Sequence, residues 1–314
     1  MKKKKGPLIL TGVLVILLIV SFGIIALCGY VILLIVYFGL SSWNKKQDKK
    51  EEKETVKVTD LDESTITAIK YQVAAGEMSF EKEGDIWYYS EDKDFPLKQS
   101  EPEAIVKAAA QITADRKLED GDSLDAYGLD DPNYSIEITE EDGTVTTVSF
   151  GDSTGTDYYV TVGDTGTVYT VASSVLDDFK TELSDFAQLD EYPSIGSGNL
   201  KKEVITENGT TTTYDSENED QEEEIAAVAG GLGAVSLTTV ADYSVEDADL
   251  AGYGLDEASR ITVEATYTKN EDEKTMKMYI GSEDGNGNRY VMLDGSKIVY
   301  QISDEVCKNI LNQE

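Results

Sequence analysis

Tyr127-Gly128-Leu129-Asp130 returns as Tyr253-Gly254-Leu255-Asp256, 126 residues further on. The segments downstream of each copy also match. Ser149-Phe150-Gly151-Asp152 answers to Tyr279-Ile280-Gly281-Ser282, and Tyr158-Tyr159-Val160 to Arg289-Tyr290-Val291. Val168-Tyr169-Thr170-Val171 answers to Val299-Tyr300-Gln301-Ile302. These later pairs are 130 or 131 residues apart, so the second copy has gained only four or five residues. A spacing held this closely marks an internal duplication.

The repeated phrase reads as a helix stop. Ser123 opens a short helical turn and Tyr127 ends it. Gly128 and Gly254 suit the left-handed C-cap conformation, which glycine adopts without a side-chain penalty. Leu129 and Leu255 then fold back onto the turn, and Pro132 blocks a restart of the first. Tyr127 and Tyr253 are expected in the core. Asp130 and Asp256 are expected to cap or orient the next strand.

Around this phrase the hydrophobic pattern alternates between strand and helix periods. In the first unit Ile66–Val73, Met78–Glu81 and Ile86–Tyr89 read as strands. A helix with Ser100 as N-cap carries Ile105, Val106, Ala109 and Ile112. Two hairpins come next, turning at Glu141-Asp142-Gly143 and Gly163–Gly166. Ser173 or Ser174 then caps a helix with Val175, Leu176, Phe179 and Leu183 on one side. The second unit repeats the order, with Asn208-Gly209 as a strong hairpin signal. Its helix at 224–235 is weakened by Gly230, Gly231 and Gly233, at about 1 kcal/mol each. The last helix starts at Asp304 and carries Val306, Ile310 and Leu311.

The expected fold is therefore α+β: two tandem related units at 59–192 and 193–314, each an antiparallel sheet of hairpin plus meander with two to three helices.

The N-terminal part has a different character. Residues 1–6 are a basic tail with Lys2 to Lys5, and Pro7–Leu40 then runs 34 residues without a charge. As a helix that run is roughly 50 Å long, against a hydrocarbon core of about 30 Å. It reads as a single transmembrane helix, a signal-anchor with the N-terminus in the cytoplasm. A helical hairpin bent at Gly23 and Cys28-Gly29 is the other geometry. The run is too long for a cleaved signal peptide. Residues 41–58 form a charged linker.

Four of the 27 basic residues precede the apolar run, leaving 23 against 61 acidic residues, a net charge of −38 for the remainder. Such a surface repels nucleic acid. The chain has no histidine and two cysteines, Cys28 and Cys307. That removes the commonest general base and the usual zinc and iron–sulfur ligand sets, and no cofactor is implied.

The tryptophan strand Asp85-Ile86-Trp87-Tyr88, the helix near Glu103–Ile112, Tyr127–Pro132 and the Phe150-Gly151 to Val171 meander resemble the domain-of-unknown-function 4340 family of bacterial membrane-anchored proteins. The resemblance covers the chain from about Asp60 to the C-terminus. It implies a single-span protein with an extracytoplasmic domain, whose partners are the membrane and a transporter permease or other envelope protein. Members of the family often accompany genes for ABC transporters of the gliding-motility auxiliary type, and the resemblance implies that association here. The family defines no catalytic residues.

Other motifs are weaker. Asp284-Gly285-Asn286-Gly287-Asn288 begins like a calcium loop, but Arg289 and Gly295 stand where that pattern needs glycine and glutamate. Adjacent acids such as Asp130-Asp131 and Asp177-Asp178 allow a carboxylate-based cell-envelope hydrolase as the alternative. That chemistry needs two carboxyls facing across a cleft. The first reading is a non-catalytic binding or scaffold module.

Overall fold

The computed structural model describes residues 56–118, 121–163 and 165–313. The apolar run at 7–40, read as a transmembrane helix, lies outside the described residues. Among the described residues, no helix is long and apolar enough to cross a membrane.

Short turns force antiparallel neighbours, and every strand pair in the two large sheets is antiparallel. The strands of the first repeat are β1 (Val56–Lys57), β2 (Ile66–Val73), β3 (Gly76–Glu83), β4 (Ile86–Tyr89), β5 (Thr113–Ala114), β6 (Arg116–Lys117), β7 (Tyr134–Glu140), β8 (Val145–Ser153), β9 (Asp157–Val162) and β10 (Tyr169–Ala172). Those of the second are β11 (Leu200–Glu207), β12 (Thr210–Asp215), β13 (Val240–Asp242), β14 (Ile261–Lys269), β15 (Asp272–Glu283), β16 (Asn288–Leu293) and β17 (Val299–Ser303). The helices are α1 (Ser100–Ala110), α2 (Leu183–Phe186), α3 (Glu222–Gly233) and α4 (Asp304–Ile310).

The first sheet has the order β4-β3-β2-β7-β8-β9-β10-β6 and the second β12-β11-β14-β15-β16-β17-β13. Apart from the extra strand β4, the two orders are the same. The chain leaves the hairpin end, crosses one face as a helix, adds a strand at the far edge, and returns across the other face to the middle of the sheet. Each sheet is therefore covered on both faces. In the second repeat, α3 and α4 bury Val228, Leu232, Cys307 and Ile310 with Val263, Met278, Ile280 and Tyr300 of the sheet. On the opposite face Val245 and Leu255 cover Tyr279, Met292 and Val299. The alternation Met278–Tyr279–Ile280 feeds both layers, as strand geometry requires.

Sheets outweigh helices here, which corrects the α+β expectation of two to three helices per unit. The helix expected from Ser173 to Leu183 is a 3-10 turn, Ser173–Asp178, that ends at Phe179. Phe179 packs edge-on against Tyr71, and the Tyr71 hydroxyl donates to the Lys180 carbonyl. These contacts draw the chain out of helix, and only the four-residue α2 comes after. Ser100 is the first helical residue, and Gln99 holds the N-cap position.

Gln99 has another task. β4 and β12 are outer edges, and unpaired edge groups template association. The Gln99 Oε1 accepts from the Trp87 N–H at 2.8 Å, and its Nε2 donates to the Trp87 carbonyl at 3.0 Å. Gln221, at the N-cap of α3, repeats this on β12: it accepts from Asp215 N–H at 3.2 Å and donates to the Thr213 carbonyl at 3.1 Å. A side-chain amide stands in for the next strand in both repeats.

The glycines of α3 are not mere helix weakeners. A Cβ on Gly231 would lie 2.4 Å from the Ile310 nitrogen and 2.6 Å from the Asn309 carbonyl carbon. A Cβ on Gly233 would lie 2.8 Å from the Ile195 carbonyl oxygen. The missing side chains let α3 touch α4 and the segment between α2 and β11 backbone to backbone.

Gly231→Ala should therefore destabilise by about 1–3 kcal/mol through overpacking, whereas Gly230→Ala should stabilise by about 0.4–1 kcal/mol, read from denaturant midpoints. Nothing lies within 4 Å of a Cβ at Gly230. Gln99→Leu or Gln221→Leu should each lower stability by about 1–2 kcal/mol by leaving edge groups unmatched, and should increase light scattering on heating.

Candidate functional site

The duplicated phrase forms the same corner twice. Leu124–Tyr127 and Leu250–Tyr253 are single 3-10 turns. Gly128 ends the first at φ 67°, ψ 23°, and Gly254 the second at φ 65°, ψ 25°, both left-handed. Leu129 and Leu255 are buried, and their N–H groups donate back to Leu124 and Leu250.

Each corner sits on one bulged strand. The register slips between Phe150 and Ser153 in the first sheet and between Ile280 and Glu283 in the second. A second glycine lies at each slip. A Cβ on Gly151 would be 2.2 Å from the Tyr127 carbonyl oxygen, and one on Gly281 would be 2.2 Å from that of Tyr253. The phrase and the bulge thus meet through bare backbone. The bulge carbonyl is satisfied differently in each copy: Asn133 Nδ2 donates to Gly151 O at 3.0 Å, and Arg289 Nε and Nη2 donate to Gly281 O at 3.1 and 2.8 Å.

Tyr127 and Tyr253 are half-buried, which corrects their expected place in the core. Each packs its ring on the matching strand tyrosine, Tyr127 on Tyr159 at 4.8 Å and Tyr253 on Tyr290 at 5.0 Å. Their hydroxyls reach the surface, where Tyr127 accepts from Asp122 N–H and Tyr253 donates to Asp242. Asp130 is exposed. Asp256 accepts from the Ala258 N–H at 3.1 Å, ordering the approach to β14. The corner is built for position, and none of these groups converges on a reacting centre.

The concave surfaces lie elsewhere. A cleft of about 690 Å³ separates α1 from the 3-10 turn Ser173–Asp178. Ala104, Ile105, Ala108, Ile112, Val175 and Phe186 line its apolar part. Lys107, Lys180, Glu101, Asp177 and Asp178 also line it. Glu101 accepts from Lys98 at 2.7 Å and Lys180 at 3.5 Å. The Lys98 hydrogen bond holds its carboxyl below the usual range, so it stays ionised rather than acting as a proton donor. A second, more polar cleft of about 510 Å³ is lined by Tyr192, Tyr267, Met276, Lys277 and Asp294.

The remaining sequence candidates have structural roles. Asp284 accepts from the Asn286 and Asn288 N–H groups, Asn288 Nδ2 and Gln301 Nε2, at 2.7 to 3.0 Å. These donors, Asn288 first, hold its carboxyl below the usual range and organise the hairpin loop. Cys307 is buried, which pushes its thiol up to about 12 and keeps it unreactive. Sequence reasoning passed over Glu203, the one fully buried acid among the described residues. Its parity with Ile205 on β11 was the available signal.

Gly151→Ala and Gly281→Ala should each destabilise by about 2–4 kcal/mol, more than an exposed loop glycine would, because the corner must lift from the strand. Thermal unfolding of both variants checks this.

Searches of curated proteins and of solved structures found no match. The family model described as "Domain of unknown function (DUF4340)" matches twice, over residues 87–230 and 219–313. Each match holds one copy of the Tyr-Gly-Leu-Asp corner and its bulged strand. Together the two matches span most of the chain, which belongs to the DUF4340 family.

Proposed function

We propose that this protein is a non-catalytic binding or scaffold module, held at the membrane by its N-terminal apolar run and displayed on the extracytoplasmic side as an accessory of an ABC-type transport complex. The observation that carries the binding reading is the cleft beside α1. Its apolar wall runs over Ala104, Ile105, Ala108, Ile112, Val175 and Phe186, and at its rim Glu101 is ion-paired to Lys180, which suits burial of an apolar segment from a partner. Rigid positioning of both sheets by glycine corners supports a scaffold role. The anchor reading rests on the length and charge pattern of Pro7–Leu40. The transport association rests on what the family resemblance implies.

Protease added to intact, wall-stripped cells should digest the acidic domain. Digestion only after lysis would overturn the outside placement. From detergent-solubilised membranes the full chain should co-purify with a permease. Ala104→Arg, a change at an exposed position in the cleft, should reduce recovery of the permease by about tenfold without shifting the unfolding midpoint. Unchanged recovery would remove the cleft from the binding reading.

A further inference from the structure

Glu203 lies on β11 with no exposed surface, and neither carboxyl oxygen has a hydrogen-bond partner. It pairs with Ala265 on β14 and Tyr214 on β12. The duplication shows what that position ordinarily holds. Phe150 pairs with Tyr134 and its counterpart Ile280 pairs with Ile261, so Ile138 corresponds to Ala265. Ile138 pairs with Ile69 on β2. Glu203 therefore occupies the register position of Ile69, a buried isoleucine. An acid stands in a site that an aliphatic side chain fills in the sister repeat.

The core on this face of the sheet is apolar. The inward face of α3 offers Ile225, Val228, Ala229 and Leu232, and β15 offers Met276 and Met278. The titratable groups nearest to it are Tyr214, its ladder partner on β12, and Tyr192 on the segment between α2 and β11. The Tyr192 hydroxyl is also buried without a partner, and its proton is held more tightly through burial and then through Glu203. Exposed Glu191 stands next to Tyr192 on the same segment.

That segment is pinned at both ends. Asp190 accepts from Tyr300 at 2.9 Å and Ser296 at 2.6 Å, and Ile195 is buried in the second core. Between the pins, Tyr192 lies within electrostatic reach of Glu203 and also lines the 510 Å³ cleft, whose charged groups are Glu191, Glu264, Lys269, Lys277 and Asp294.

We propose that Glu203 is a proton-operated latch: with its proton on, the neutral carboxyl lets the Glu191–Ser194 segment stay seated over the second sheet, and loss of the proton unseats it. Burial pushes the Glu203 carboxyl up to about 8, from an ordinary value of 4.5. Between those values the folded chain holds a proton that the unfolded chain has released. Stability from this site is fully present below about pH 4.5 and is lost as pH rises through about 8. Opening the segment at high pH relieves the buried charge at lower cost than unfolding the sheet.

The test uses the full chain in detergent. Hydrogen exchange across residues 189–195 is measured at about pH 6 and about pH 9.5 and normalised for the intrinsic rate. Wild type should lose about tenfold protection at the higher pH. Glu203→Gln and Glu203→Ile, the second copying the first repeat, should both hold their protection. Equal protection in wild type at the two pH values would overturn the latch. So would variants that loosen as wild type does. An infrared band from a protonated carboxyl should persist in wild type near neutral pH and vanish toward about pH 9.5, and its absence near neutral pH would also overturn it.

Discussion

Backbone against backbone at the glycine pairs is the constraint on which the rest depends. Gly128 turns the chain, and Gly151 lets that turn rest directly on the strand bulge. Gly254 and Gly281 do the same in the second sheet. With side chains interposed, the crossing segment would stand further from the sheet. Leu129 and Leu255 would then lose their burial, at about 1.5–3 kcal/mol each. The far-edge strands would also lose their route back to the middle of each sheet. A few bare positions thus fix a topology that runs over more than a hundred residues per repeat.

The edges extend the same logic. A mostly antiparallel fold exposes more edge than a helical one, and this chain closes two edges with single glutamines placed just before helices. The placement is economical because a helix N-cap need not be filled by a capping side chain when acidic residues occupy the first turn. Glu101 and Glu103 do so in α1, and Glu222, Glu223 and Glu224 in α3. The glutamine side chain is then free to bind the neighbouring edge.

Much of this was legible in the sequence. The duplication and the hairpins were readable because glycine and asparagine report backbone geometry locally, as Asn208-Gly209 does with positive φ at both residues. The helices were less so. Their lengths depend on distant contacts, as Phe179 shows when Tyr71 pulls it from helical conformation. The role of Gly231 was hidden for the same reason, since its partner Ile310 is remote in sequence. The far-edge strands β6 and β13 are two and three residues long and carry no periodicity to detect. The half-burial of Tyr127 and Tyr253 comes from their hydroxyls, which need polar partners at the surface.

Duplicated halves expose divergence that a single domain would conceal. Matching the buried faces, Ile105-Val106 with Val228-Ala229, sets Ala108 opposite Gly231. The glycine lets α3 and α4 meet backbone to backbone, while the alanine methyl faces an open cleft in the first repeat. At Ile69 and Glu203 the direction is reversed: the first repeat keeps a plain hydrocarbon contact, and the second holds a titratable group with no partner. Neither difference is needed to complete the sheet, since each repeat forms its sheet with the other residue type. The shared corners fix the scaffold, and the differences fall where the sheet does not depend on them: an open cleft beside Ala108 in the first repeat, a buried carboxyl without a partner in the second.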